Sequence, residues 1–219
     1  VCTDIARYSL GSAGEPTQGA GAVAMLVSAR PRLIELEVGV SGSYAQDVHD
    51  FWRPLHRKDA LVDGHFSVQC YLDALAGAYG EWRALTSSRE PLVRTCYHVP
   101  YGKLARKAHQ LRCQLDGREE AALPGPDSFA VEVEPSLKLP AQVGNIYTGS
   151  LYLALLSLLH AEARQLENQR IGLFSYGSGC AAEFFAGRVQ PGADALLAAM
   201  DVTAPLRDRG RLTIPEYEA

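Results

Sequence analysis

The stretch 151-LYLALLSLL-159 decides the fold. Its helical pattern is apolar on every side and broken only by Ser157, so a helix here has no face to offer to water. Protein has to enclose such a helix all round, which a single two-layer domain seldom provides. Helices sandwiched between two sheets do provide it. The run is also too short to cross a bilayer, and no other apolar run is longer, so no membrane segment is expected.

Reading outward, 170-RIGLFSY-176 is a strand, 177-GSG-179 a tight turn and 181-AAEFFAGRV-189 the returning strand. Upstream, 91-PLVRTCYHV-99 reads as a strand that Pro100 ends, followed by a helix over 102-GKLARKAHQLRC-113. Val68, Tyr71, Leu72, Leu75, Tyr79 and Trp82 recur at three and four, which predicts an amphipathic helix over 67–85 with Ser67 as its N-cap. Further back, 20-AGAVAMLVS-28 reads as a buried strand and 32-RLIELEV-38, alternating at period two, as its half-exposed neighbour. Between them and the helix, residues 41–64 form a long loop rich in aromatics and turn formers, a length usually kept for function. The segment 117–140 mixes turn residues and charge without a clear period. Alternating strands and helices give an α/β class with layered sheets. The chain opens on VCTDIARY, which reads as the end of a buried strand, and closes on LTIPEYEA as a helical pattern starts, so a piece of a longer chain is expected.

Composition is that of an ordinary globular protein: 219 residues, 47% hydrophobic, 21% charged, net charge −4. No basic stripe argues for nucleic acid. Five cysteines (Cys2, Cys70, Cys96, Cys113 and Cys180) are odd in number and lack CxxC spacing, which fits reduced thiols in the cytoplasm better than disulfides or zinc. His49, His56 and His65 match no zinc spacing, and His109 and His160 read as surface residues of helices.

Four places can carry chemistry. His98 ends a strand, where α/β proteins open onto crevices, and an imidazole there can donate a proton or polarise a carbonyl; its bland alternative is a buried structural histidine. Lys103 and Lys107 share one helix face and could hold phosphates, although paired surface lysines are ordinarily just solvated. Asn145, in 144-GNIYTGS-150, can hold a carbonyl substituent or serve as a turn residue. In 175-SYGSG-179, glycines flank Ser178; the turn could present amides as an oxyanion site or be a plain hairpin.

Four segments together resemble the 3-hydroxy-3-methylglutaryl-CoA synthases: GEPTQGAGAVAML (14–26), HDFWRP…LVDGHFS (49–67), CYHVPYGKLARK (96–107) and GNIYTGSLY…IGLFSYGSG (144–179). The resemblance covers nearly the whole chain, 1–219, and corresponds to the C-terminal half of that family. It implies the thiolase fold, two similar α/β halves stacked as sheets with helices between and outside them. It implies an acyltransferase that takes acetyl onto a cysteine, deprotonates it with a glutamate and condenses it with a β-keto thioester. His98 matches the residue that holds and protonates the ketone. Asn145 and Ser178 match acyl contacts, Lys103 and Lys107 match lysines for the CoA or carrier phosphate, and Asp4 matches an aspartate near the reaction centre.

The nucleophilic cysteine and the base belong to the family's other half, to which no segment here is similar; the chain alone is therefore expected not to catalyse the condensation. No cofactor or metal is implied beyond CoA or acyl carrier protein thioesters, and a homodimer is implied. The wording DFWRPLHRKDALVDG resembles the polyketide β-branching enzymes, with carrier-protein-bound acceptors, more than the mevalonate enzymes. A non-catalytic thiolase-fold partner used for docking or dimerisation is the alternative of another class.

Overall fold

The computed structural model describes residues 1–57, 59–118 and 127–219. Its centre is a four-stranded sheet in the order β3 (Ile34–Ala45), β8 (Ala181–Val189), β7 (Arg170–Gly177), β6 (Arg94–Tyr97). β3 and β7 flank β8 antiparallel, and β6 joins β7 in parallel. Side chains alternate across the sheet, so Tyr97, Phe174 and Phe184 fall on one face while Cys96, Leu173 and Ile171 fall on the other.

The first face is covered by α1 (Gly64–Leu85) and α2 (Gly102–Leu115) through Tyr71, Leu75, Tyr79, Trp82 and Leu104. The second is covered by α5 (Gly149–Glu162) through Leu151, Leu155, Leu158 and Leu159, with α6 (Ala193–Ala198) beside it. The far side of α5 meets a further cluster, where Leu153 packs with Val23, Leu139 and Ile146. Each leucine withdrawn from water contributes about 2 kcal/mol. The apolar helix therefore lies between the main sheet and an antiparallel ribbon of β1 (Cys2–Ala6) and β2 (Gly19–Val23), as its all-round apolarity requires.

Smaller elements complete the chain: the ribbon β4 (Phe51–Trp52) and β5 (Leu61–Val62), then α3 (Ser128–Glu132), α4 (Pro140–Val143), α7 (Ala204–Arg207) and α8 (Ile214–Glu218).

Several expectations are corrected. The run 20–28 is not a buried strand: β2 ends at Val23, and Met25, Leu26 and Val27 are exposed. β3 is not its neighbour but pairs with β8, with a register shift between Leu36 and Ser41, and it absorbs the start of the supposed long loop. The opening strand β1 is mostly exposed. Asp63, not Ser67, caps α1; its carboxylate accepts from the Phe66 amide, and the helix gains three residues at its start. His109 is fully buried, because Leu104, Ala105 and Ala108 turn that face of α2 inward and Phe129 closes over it. Residues 119–126 of the irregular segment lie outside the described residues. All five cysteines are free. No helix among the described residues is long and apolar enough to cross a membrane, and none of their side-chain clusters could hold a metal ion.

Candidate active site

His98 and Ser178 follow β6 and β7, two parallel strands, so both lie at the same carboxyl-end edge of the sheet. Asn145 comes to that edge from the turn before α5. All three line one cavity of about 530 Å³, walled also by Tyr8, Tyr147 and Tyr176.

The backbone of His98 is fixed on both sides: its amide donates to the Phe174 carbonyl at 2.8 Å, and its carbonyl accepts from the Tyr71 hydroxyl at 3.0 Å. The ring, in contrast, has neither a hydrogen bond nor a charge offsetting its burial and stands 6.3 Å from the Tyr176 ring. Burial, unopposed by any carboxylate, pushes its pKa down to about 4. At neutral pH the ring is uncharged, with one nitrogen to donate and one to accept. It can polarise a carbonyl by a hydrogen bond without carrying a proton of its own to spare.

Asn145 turns out to be a turn residue and an amide for the cavity at once. Its Oδ1 accepts from the Tyr147 amide at 2.9 Å and the Ser150 hydroxyl at 3.2 Å, which commits the oxygen to the start of α5. The side chain is buried and lines the cavity, and with Oδ1 committed to the turn, Nδ2 is the end that can serve a ligand. Behind it, the Asn145 amide donates to the Thr17 carbonyl at 3.0 Å. The two backbones are pressed together: Gly144 has φ +83°, and a Cβ there would lie 2.0 Å from the Gln18 carbonyl oxygen.

The hairpin at Ser178 differs from an oxyanion site. The Gly179 amide is taken by Asp50 Oδ1 at 3.0 Å and the Cys180 amide by the Gln46 carbonyl. What Ser178 offers the cavity is its hydroxyl, beside the Tyr176 phenol.

Asp50 is the residue that sequence reasoning missed. It is wholly buried, and it also accepts from the Tyr176 hydroxyl at 2.8 Å and Ser67 Oγ at 3.2 Å. One carboxylate thus joins the residue 46–63 loop, the first turn of α1 and the β7–β8 hairpin. Together with burial, it pushes the Tyr176 phenol up, keeping it a neutral donor. No spacing marks Asp50; the density of aromatics in 50-DFW-52 was the only signal.

The remaining candidates lie elsewhere. Lys103 and Lys107 do share a face of α2, but they line a second cavity of about 690 Å³ with Lys138 and Phe129. The two cavities are neighbours across the first turn of α2, where Tyr101 and Leu104 face one and Gly102 and Lys103 the other. Asp4 is exposed on β1 and accepts from the Ile5 amide at 2.8 Å; it does not line the His98 cavity. It acts at a distance, adding to the burial and the Tyr8 hydrogen bond that push the Tyr147 phenol up. Neither a cysteine nor a glutamate lines the His98 cavity among the described residues.

The chain is similar to known proteins along its whole length. The sequence model for the C-terminal part of hydroxymethylglutaryl-coenzyme A synthase matches residues 34–121 and 116–219. A hydroxymethylglutaryl-CoA synthase of Enterococcus faecalis is 40% identical over 220 residues, covering 100% of this chain and 56% of the relative. A polyketide biosynthesis 3-hydroxy-3-methylglutaryl-ACP synthase of Bacillus subtilis is 30% identical over 231 residues, covering 100% and 54%. The solved structure of MvaS in complex with 3-hydroxy-3-methylglutaryl coenzyme A superposes with a TM-score of 0.89 at 50% identity, over 99% of this chain and 57% of that one. The chain spans about half the length of the curated relatives it matches.

Proposed function

We propose, from the premise that the chain belongs to the hydroxymethylglutaryl-CoA synthase family, that it forms the acceptor side of a carbon–carbon condensation. An acetyl-derived carbanion attacks the ketone of a β-ketoacyl thioester, and hydrolysis releases a 3-hydroxy-3-methylglutaryl-type product. The observation that carries this reading is the meeting of the neutral His98 ring and the Asn145 amide in one cavity. In the attack the ketone carbon gains the new bond, and its π electrons move onto oxygen. The neutral His98 N–H donates to that oxygen as charge builds, the proton that the base of the acetyl-transferring half took from the acetyl group completes the hydroxyl, and Asn145 Nδ2 holds the thioester carbonyl. A donor aimed at a developing oxyanion contributes about 10²–10³ in rate.

Lys103 and Lys107, which line the neighbouring cavity, hold the phosphate of the carrier. An acyl carrier protein as the carrier, in polyketide β-branching, is supported by the loop wording 50–64 and by the Bacillus subtilis relative. Coenzyme A as the carrier, in mevalonate synthesis, is supported by the higher identity to the Enterococcus faecalis enzyme and to MvaS. A homodimer in the cytoplasm belongs to the same proposal, as does a supporting place for Asp4 beside Tyr147.

The test offers an acetyl donor and acetoacetyl acceptors on CoA or on carrier protein to the enzyme complete with its acetyl-transferring half. His98→Ala is expected to abolish condensation while leaving acetyl transfer intact. Unchanged turnover would favour a docking or dimerisation role instead.

A further inference from the structure

The C-terminal segment is tied to the wall of the His98 cavity at two points. At one, Tyr217 on α8 donates its hydroxyl to Glu15 Oε1 at 3.1 Å and accepts from Gln18 Nε2 at 2.6 Å. At the other, Arg209 Nη1 donates to the Gln142 carbonyl at 2.6 Å. Glu15–Gln18 and Gln142–Asn145 are the two strands of chain that press against each other behind the cavity. The Thr17 carbonyl holds the Asn145 amide, and at Gly19 a Cβ would lie 2.6 Å from the Asn145 carbonyl oxygen.

The contact also reaches Tyr8. Gln18 accepts from the Tyr8 amide through Oε1 at 2.7 Å while its Nε2 is held by Tyr217, so one side chain connects the C-terminal helix to a cavity-lining residue. The strap itself is well set. Leu206 packs on the cluster around Ile146 and Leu153, and Thr213 and Glu216 form a reciprocal capping box that fixes the start of α8. With glycines at 19 and 144 allowing backbone to touch backbone, nothing soft lies between the Glu15–Gln18 turn and Asn145 to absorb a shift.

We propose that Tyr217 is a positioning residue for the acceptor site: its hydroxyl holds the Glu15–Gln18 turn, and that turn sets the place of Asn145 and Tyr8. Arg209 is the second anchor of the same strap. The inference rests on the acceptor-side reading of the cavity.

Two measurements test it. Amide exchange is followed at Asn145 and Tyr8 in the wild-type protein, Tyr217→Phe and Tyr217→Ala. Loss of a surface hydrogen bond corresponds to about a three- to ten-fold change in local opening. Both variants are therefore expected to speed exchange at Asn145 and Tyr8 by that factor, with strands β6 and β7 unchanged. Unchanged exchange at these two amides in Tyr217→Phe overturns the proposal.

In the enzyme complete with its acetyl-transferring half, Tyr217→Phe is expected to raise the KM for the β-keto acceptor by about the same factor. Arg209→Gln should act in the same direction, and acetyl transfer and the melting temperature should stay unchanged. A fall of acetyl transfer and melting temperature together overturns the positioning role, since it reports general destabilisation. A wild-type enzyme that performs no condensation sinks the functional reading instead, and the exchange measurement alone then decides the strap.

Discussion

Replacing Asp50 by alanine should loosen the active-site wall by a calculable amount. The carboxylate is wholly buried and receives three donors: Tyr176 Oη at 2.8 Å, the Gly179 amide at 3.0 Å and Ser67 Oγ at 3.2 Å. Hydrogen bonds to a charged acceptor contribute about 1.5–3 kcal/mol each, and the longest of the three belongs at the low end. The full sum is not reached, because removing the carboxylate also removes the cost of burying it and the cavity lets water reach the freed donors. A loss of about 3–5 kcal/mol is expected for Asp50→Ala. Asp50→Asn keeps the volume and one acceptor oxygen but turns an amide towards donors, so it should cost about half as much. Urea unfolding followed by tryptophan fluorescence measures both. With a slope of about 2 kcal/mol per molar, the alanine midpoint should fall by about 1.5–2.5 M, with the slope itself unchanged. A change below about 0.5 kcal/mol for alanine would refute the reasoning, because it would mean that the carboxylate does not join loop, helix and hairpin.

Stability should also depend on pH through two buried histidines. His98 and His109 are both pushed from 6.5 to about 4, chiefly by burial, with Arg112 adding at His109. Between those values the unfolded chain binds more protons than the folded one, so stability is fully present above about pH 6.5 and is lost as pH falls towards 4. The loss is on the order of 1.4 kcal/mol per histidine per pH unit within that window, and replacing both by asparagine should flatten the unfolding midpoint between pH 4.5 and 6.5; a midpoint that rises on acidification contradicts it. Gly144→Ala should cost more than about 2 kcal/mol, combining a positive φ with a Cβ 2.0 Å from the Gln18 carbonyl, and should abolish acceptor binding; near-native calorimetric stability would show that the backbone contact is not rigid.

How much of this could be read from sequence follows from the physics of each signal. The enclosure of α5 was legible because apolarity on all sides admits few solutions. His98, Asn145 and Ser178 were legible as strand-end and turn residues, and the structure does bring them to one cavity. The exposed run 24–27 was misread since apolar composition reports affinity for a partner surface without saying which one. His109 was misread because a helix between a sheet and a second layer buries more than one stripe. Asp50 stayed hidden, as its three donors come from segments far apart in the chain and only the tertiary fold assembles them. The charge state of His98 was hidden for the same reason: burial without a carboxylate neighbour is a property of the packing.

The most direct measurement is isotope-edited infrared spectroscopy of an acetoacetyl thioester, labelled with carbon-13 at the ketone and bound to the wild-type protein and to His98→Ala. The account predicts a ketone stretch shifted to lower frequency on the wild-type protein, because an imidazole N–H withdraws electron density from the oxygen, and a stretch close to its free value on the variant. An identical shift on both proteins would contradict it, placing the polarising group somewhere other than His98.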